Sequence, residues 1–535
     1  MRAMNMKTAI AKTKVLPILV VAVAMLWTAT AHAAAPGITG TTFNLSAAPA
    51  YISQPDGSLV YSWGYGCASA PSGFAPAPMT NASCPTMQIP GPTLVVTAGQ
   101  TITVNLTNNL PTAAGNTSIL FPGFAVATSG GVSGLLTQEA APGATVTYTL
   151  TIPATAGGTH SYYSGTQGDL QVEMGLYGAL IVIPSAIPAA CTSGVHADNV
   201  TAQKTWVESD FRLADAAYNH AGACYDREYL FQFAEMDPAI HRNAEDQVAT
   251  AATACALGAG SPGCSLNVPT EPYHPAYFLV NGRSMPDLMD ANYAPQYPHQ
   301  PYNGDPHMHP GELTLLRIIG QGRWQHPFHE HGNHVRILGR DGNLILSATD
   351  PNSLAGPLMF TTTTTPGVAM DGIFYWTGKG LNWDAFAHNP TSSDPLAKLG
   401  CSPDANGYNT GPTAATQINY FEWCADHNKP LQAAPTSDVA GGGPATLPDP
   451  NILTNGAWYG GSPYLGPDAT IRSVFSTGTT PPSGTVVNPP SSEAGFAFMW
   501  HSHNEREITT SNIFPGGMMM MMLVDSREFV IDENQ

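Results

Sequence analysis

The sequence predicts an all-β protein of sandwich architecture, and three observations carry that expectation. Its 53 glycines and 47 prolines interrupt the chain too often for long helices. Only 11% of its residues are charged, too few to cover the solvent faces of amphipathic helices. Short β-branched and apolar runs recur between turn signals, the pattern of strands in a sandwich. With 535 residues and 43% apolar content, the chain can bury cores for two or three domains.

In chain order, residues 1–33 read as a signal peptide. Arg2, Lys7, Lys12 and Lys14 precede an apolar run from Val15 to Trp27, and Ala31-His32-Ala33 offers a small-x-small cleavage site. The run is short for a stable membrane anchor. The expectation is an exported protein, periplasmic or extracellular, with no membrane span in the mature chain. A first domain is expected over 36–185, with strands at Thr93–Thr97, Thr101–Leu106, Thr145–Ile152 and Ala179–Ile183, each bounded by Pro, Gly or Asn. Residues 186–228 read as a connector, and 240–270 as a further Ala-rich, Cys-containing linker. A second domain follows over 229–535. The Pro-, Gly-, Thr- and Asn-rich stretch at about 390–490 reads as an insertion within it.

Removing residues 1–33 takes four basic and no acidic residues, shifting the formal charge from -19 to -23. An anionic mature chain excludes nucleic acid and anionic lipid as natural partners. The eight cysteines all follow residue 33, and an even count in an exported chain argues for disulfides. Pairing of neighbours (Cys67 with Cys84, Cys191 with Cys224, Cys255 with Cys264, Cys401 with Cys424) is the expectation among many possible connectivities.

Five of the 17 histidines lie in two short segments, His326-Pro-Phe-His329-Glu-His331-Gly and His501-Ser-His503. Imidazoles at one-residue spacing project from one face of a strand. Two such pairs brought together offer a metal site, and neutral imidazoles suit Cu(II) or Zn(II). No phosphate loop, dinucleotide fingerprint or nucleophile elbow is present.

These histidine segments resemble the two copper motifs of the C-terminal domain of multicopper oxidases, H-P-x-H-x-H-G and H-C-H. Pro90-Gly-Pro-Thr-Leu-Val-Val, Ala98-Gly99-Gln100, Pro142-Gly143 and Gly175-Leu-Tyr-Gly-Ala-Leu-Ile-Val182 resemble the N-terminal domain of the same family. Tyr277-Phe-Leu-Val-Asn281-Gly282, His309-Pro-Gly-Glu-Leu-Thr-Leu-Leu-Arg317 and Gly339-Arg-Asp-Gly342 are similar to strands and turns of its C-terminal domain. The resemblance implies two cupredoxin-like Greek-key β-sandwich domains, the second with long insertions. It also implies copper as cofactor and an oxidoreductase. By position, His329, His331, His501 and His503 match ligands of the trinuclear cluster, and His326 matches a blue-copper ligand.

The departures are as specific as the matches. Ser502 stands where the family has the blue-copper cysteine, and Glu507 where it has a further histidine. Blue copper requires a thiolate. In the N-terminal domain the four family ligands fall on Leu120, Pro122, Tyr163 and Gly165. What remains is a mononuclear type 2 copper held by His329, His331, His501 and His503, with zinc as the alternative metal and a small molecule or metal ion as reductant. Tyr163 offers a phenolate or a supporting hydrogen bond, or ordinary packing. On the other strand face Ser502 should point toward His326 and Glu507, forming a polar pocket or a site for a harder ion. Glu330 and His334 are expected beside the metal ligands. His307 and His309 form a second i, i+2 pair, either a strand entrance or an auxiliary metal site. Met518 to Met522 read as core packing or as soft copper(I) donors. A copper or zinc carrier without turnover, and a cupredoxin scaffold, stay open as alternatives. The resemblance also implies a possible homo-oligomer.

Overall fold

A computed structural model describes residues 35–76, 79–193, 210–376, 461–464, 470–471, 486–487, 495–525 and 529–532. The expected signal peptide, the expected Cys401–Cys424 pairing and most of the expected 390–490 insertion lie outside the described residues. The fold is mostly β, in four main sheets that form two sandwiches.

The first sandwich sets a sheet ordered Gly158–Tyr163, Tyr177–Ile183, Leu94–Thr97, Gly37–Thr39, Gly73–Ala75 against one ordered Leu59–Cys67, Thr42–Ser53, Thr101–Asn108, Thr145–Thr151, Val126–Ser129. Sheet neighbours come from distant parts of the chain, as Greek-key crossings require. Thr101–Asn108 and Thr145–Thr151 alternate between buried and more exposed residues because one face meets water. Their inner residues Ile102, Val104, Val146 and Leu150 pack with Trp63, Leu94 and Leu180. The four strands expected here fall within two residues of those observed.

The second sandwich sets Tyr277–Val280, Arg227–Met236, Leu313–Gly320, Ala369–Tyr375 and Val335–Arg340 against His307–Met308, Met519–Asp525, Gly495–Ser502, His326–Glu330 and Thr361–Thr364. Every residue of Arg227–Met236 is buried. Its odd-numbered Phe231 and Phe233 face this sandwich's core, whereas Leu230, Ala234 and Met236 pack toward the first sandwich. Ala179 and Ile181 meet Leu230, Ile319 and Ala369 across the same boundary. A buried ion cluster joins the two halves as well. Arg317 donates to Glu228 at 2.6 Å and to Thr159 at 3.1 Å, and Asp371 accepts from Thr159 and Tyr218 at 2.6 Å each.

One long element contradicts the composition. Residues Pro238–Cys255 form an 18-residue helix where a linker was expected. Asp237 caps it by accepting from the Ala239 amide at 2.8 Å, and Pro238 occupies the first turn, where it forfeits no hydrogen bond. Ile240 and Ala244 bury against the first sandwich, and the Cys255–Cys264 disulfide follows. The signal was local: an Asp-Pro start and an Ala/Glu/Gln run outweigh chain-wide glycine content. Asp237→Ala is expected to lower stability by about 1–2 kcal/mol, read as a shift in the urea midpoint at unchanged slope. The Cys67–Cys84 and Cys191–Cys224 disulfides also form as expected.

Candidate metal centre

Strand register builds the site. His326–Glu330 pairs antiparallel with Gly495–Ser502, placing His329 opposite His501, Phe328 opposite Ser502 and Glu330 opposite Trp500. Directly opposed residues share a face and adjacent residues along a strand do not. Phe328 and Trp500 enter the core, and His329 and His501 therefore project from the outer face. His331 follows the strand, and Gly332, at φ +103°, makes the turn there; a Cβ at that position would meet the Phe498 ring at 3.0 Å. The His503 amide donates to the Pro327 carbonyl at 2.8 Å, holding the second histidine pair beside the first.

Four imidazoles gather on this face. Ring centroids lie 4.8 Å apart for His329–His331 and His329–His503, 5.2 Å for His331–His501, 5.6 Å for His329–His501 and 5.5 Å for His501–His503. His501 Nδ1–H donates to the Ser502 carbonyl at 2.7 Å, leaving Nε2 as an acceptor. His331 Nε2 lies 3.2 Å from it. His329 Nδ1 is hydrogen-bonded to Thr361 Oγ1 at 2.6 Å, which also directs its Nε2 away from that partner. Such fixing of one ring nitrogen is how metal-binding histidines are oriented. Burial, and then the neighbouring His331, His503 and His501, lower the pKa of His329 to about 4. Burial also lowers that of His501. Both rings are neutral near pH 7, the ligand form. His503 keeps a side-chain exposure of 53%, so one edge of the quartet is open to solvent.

The fit to an ion is one of donor type and spacing. Two nitrogens on one tetrahedral ion with bonds of 2.0–2.1 Å stand about 3.3 Å apart, close to the His331–His501 separation. Among the described residues, however, no group of three or more His, Cys, Asp or Glu side chains is arranged to hold an ion as it stands.

His326 stands apart from the other four. It faces inward, fully buried, with Nδ1 at 2.9 Å from Glu507 and Nε2 at 2.9 Å from Glu235. Both nitrogens are committed to carboxylates on opposite sides of the ring, so His326 has none to offer the quartet. Ser502 Oγ donates to Glu507, as does Asn504 Nδ2 at 2.8 Å. Glu235 also accepts the Arg323 and Trp324 amides at 2.6 and 2.8 Å. Burial disfavours the imidazolium, and the two carboxylates more than offset it, holding the pKa of His326 at about 9. A buried cation thus occupies the position that the resemblance assigns to blue copper. The sequence pointed to Ser502, Glu507 and His326 but missed Glu235. Its signal was a lone carboxylate in the apolar run Tyr229–Met236, which demands a buried partner.

The pH consequence has a definite sign. A histidine whose folded pKa exceeds its unfolded value of about 6.5 stabilises fully below that value. The contribution fades as pH rises through about 9. His326→Gln is expected to flatten the loss of stability between pH 6 and pH 9.5 relative to the unsubstituted chain, measured by urea unfolding at both values.

Other candidates resolve plainly. Leu120 and Tyr163 are bridged through their backbones, and a Cβ at Gly165 would meet Leu120 Cγ at 2.7 Å. These three positions line a cavity of about 510 Å³ with Leu136, Arg323 and Pro366. Leucine and glycine supply no metal donor at their positions, although Tyr163 also lines the cavity. His160 is buried with its ring 4.6 Å from Phe124. His307 lies between Asp525 at 2.7 Å and Asp305 at 3.4 Å; burial opposes its charge, but the two carboxylates raise its pKa well above the usual range. His309 is buried beneath it, with Nδ1 3.2 Å from the Asp525 carbonyl. Glu330 is buried on the inward face, where it accepts from Thr362; burial raises its pKa to about 8. His334 packs on Phe360, which also contacts His329.

The profile of the multicopper oxidase family matches residues 78–186. Residues 78–186 are thus multicopper oxidase-like. No curated protein sequence matches this multicopper oxidase-like chain. Solved structures similar to it include the blue copper oxidase from Nitrosomonas europaea, at 14% identity and a TM-score of 0.43, over 90% of this chain and 85% of that one. The multicopper oxidase mgLAC is similar at 14% identity and a TM-score of 0.43, over 92% and 87% of the two chains. Among the described residues, no helix of this multicopper oxidase-like chain is long and apolar enough to cross a membrane.

Proposed function

We propose that this chain is an exported copper protein of oxidoreductase type, with one type 2 copper held by His329, His331, His501 and His503. The observation that carries the reading is the outward-facing quartet, in which Thr361 and the Ser502 carbonyl orient two rings and His331 and His501 meet at 3.2 Å. Holding an ion takes the place of the proton between those two rings and requires side-chain rotation, which the exposed His503 is free to make. A bound copper would supply one-electron exchange and a Lewis-acidic position.

The chain's own residues define the rest. Burial and mutual repulsion keep His329 unprotonated, and the open His503 edge admits a small molecule or metal ion as reductant. The His326 ion triad, and Leu120 and Gly165 in place of histidines, remove the partners that would store further electrons. Laccase-type four-electron turnover is therefore expected to be weak or absent. A copper or zinc carrier without turnover is the second reading, favoured by the same loss of electron storage.

The test is a competition titration of purified mature chain with copper and a chelator of known affinity. Thr361→Val, which deletes the partner of His329 Nδ1, is expected to weaken copper about tenfold, as losses of supporting groups do. Unchanged affinity would remove His329 from the ligand set. Oxidation of a phenol or of Cu(I) by the loaded protein separates the enzyme from the carrier.

A further inference from the structure

The strand Met519–Asp525 pairs antiparallel with Gly495–Ser502. Met518, Met520 and Met522 belong to the sandwich core with Phe498 and Trp500, so Met519 and Met521 project from the opposite face. The register places Met519 directly opposite His501 and Met521 opposite Met499. Opposed residues share a face with Cβ atoms about 4.5–5.5 Å apart. Met519 is only 7% exposed yet lies outside that core, and Met499 and Met521 are half-buried. The sheet face that carries the imidazole quartet thus continues, beginning next to His501, into three thioethers.

Packing accounts for the even-numbered methionines. The odd ones lie on the other face, where Leu523 is buried as well and the register brings Met519 beside His501. We propose that Met519 is a thioether ligand recruited when the centre holds Cu(I), and that Met521 and Met499 extend it as a landing track for Cu(I). The inference rests on the reading that the quartet binds copper. Thioethers are soft donors that select Cu(I), whereas imidazoles accept Cu(II) and Zn(II) as well. Met519 would let one site retain copper in both oxidation states, which four imidazoles alone do less well for the reduced ion.

The experiment uses the full mature chain, anaerobically, with Cu(I) affinity read by competition against a chromogenic Cu(I) chelator. Cu(II) affinity is read separately, and copper X-ray absorption reports sulfur in the Cu(I) shell. Methionine-to-leucine exchange nearly conserves volume, so folding is preserved. Met519→Leu is expected to weaken Cu(I) about tenfold or more, to abolish the sulfur signal and to leave Cu(II) affinity unchanged. Met520→Leu, facing the core, is expected to change neither. A Cu(I) shell without sulfur, or equal Cu(I) affinity in Met519→Leu, overturns the proposal while leaving the quartet in place. Copper binding that survives His501→Ala overturns both the quartet reading and this one, as does a wild-type chain that takes up no copper.

Discussion

Replacing His326 with leucine is expected to cost about 3–5 kcal/mol, the range for removing one partner of a buried ion pair. The imidazole is wholly buried between Glu235 and Glu507, each at 2.9 Å. Leucine removes the cation and leaves two carboxylates facing each other across an apolar filler, next to Phe233 and Phe328. One must then be protonated, or the strand ends must separate. The loss comes from stranded charge rather than lost volume, so Glu235→Gln and Glu507→Gln added to His326→Leu should recover at least half of it. Urea unfolding of the single and triple variants checks this. A single variant as stable as the parent would mean that His326 is neutral and the triad is a chain of ordinary hydrogen bonds. A triple variant no better than the single would mean that packing, not charge, is the cause.

The second large effect concerns metal. The double variant His331→Ala, His501→Ala removes the two nitrogens at 3.2 Å and should reduce copper retained after desalting to background, with little change in folding. Both rings lie on the outer face, so the core of Phe328, Trp500 and Met520 is untouched. Elemental analysis and urea midpoints measured together decide the matter. Retained copper in a folded double variant would place the metal elsewhere. Lost copper together with lost stability would make the quartet a structural feature of the apo fold as well.

Much of this was legible in the residues because it depends on period-two alternation. His329 and His331, and His501 and His503, share a face wherever their segments are strands, and the strands did form. The same alternation turned His326 and Ser502 inward together, so the Ser502–Glu507–His326 grouping was also readable. Glu235 was not, because its partner lies 91 residues away on a strand of the facing sheet and sequence spacing carries no information on how the two sheets pack. The helix at Pro238–Cys255 was missed for the opposite reason. Composition averaged over 535 residues outweighed a local cap, so the alanine-rich stretch read as a linker. The Met519 register was equally hidden: five consecutive methionines read alike until the ladder assigns alternate ones to core and to the histidine face.

We propose that a single mononuclear copper centre remains in this chain. The most direct measurement loads the purified mature chain with copper and reads metal content together with its visible and electron paramagnetic resonance spectra. The account predicts about one copper per chain held by imidazole donors, with a type 2 resonance and no intense blue absorption. A blue band, or three or more coppers per chain, would contradict it.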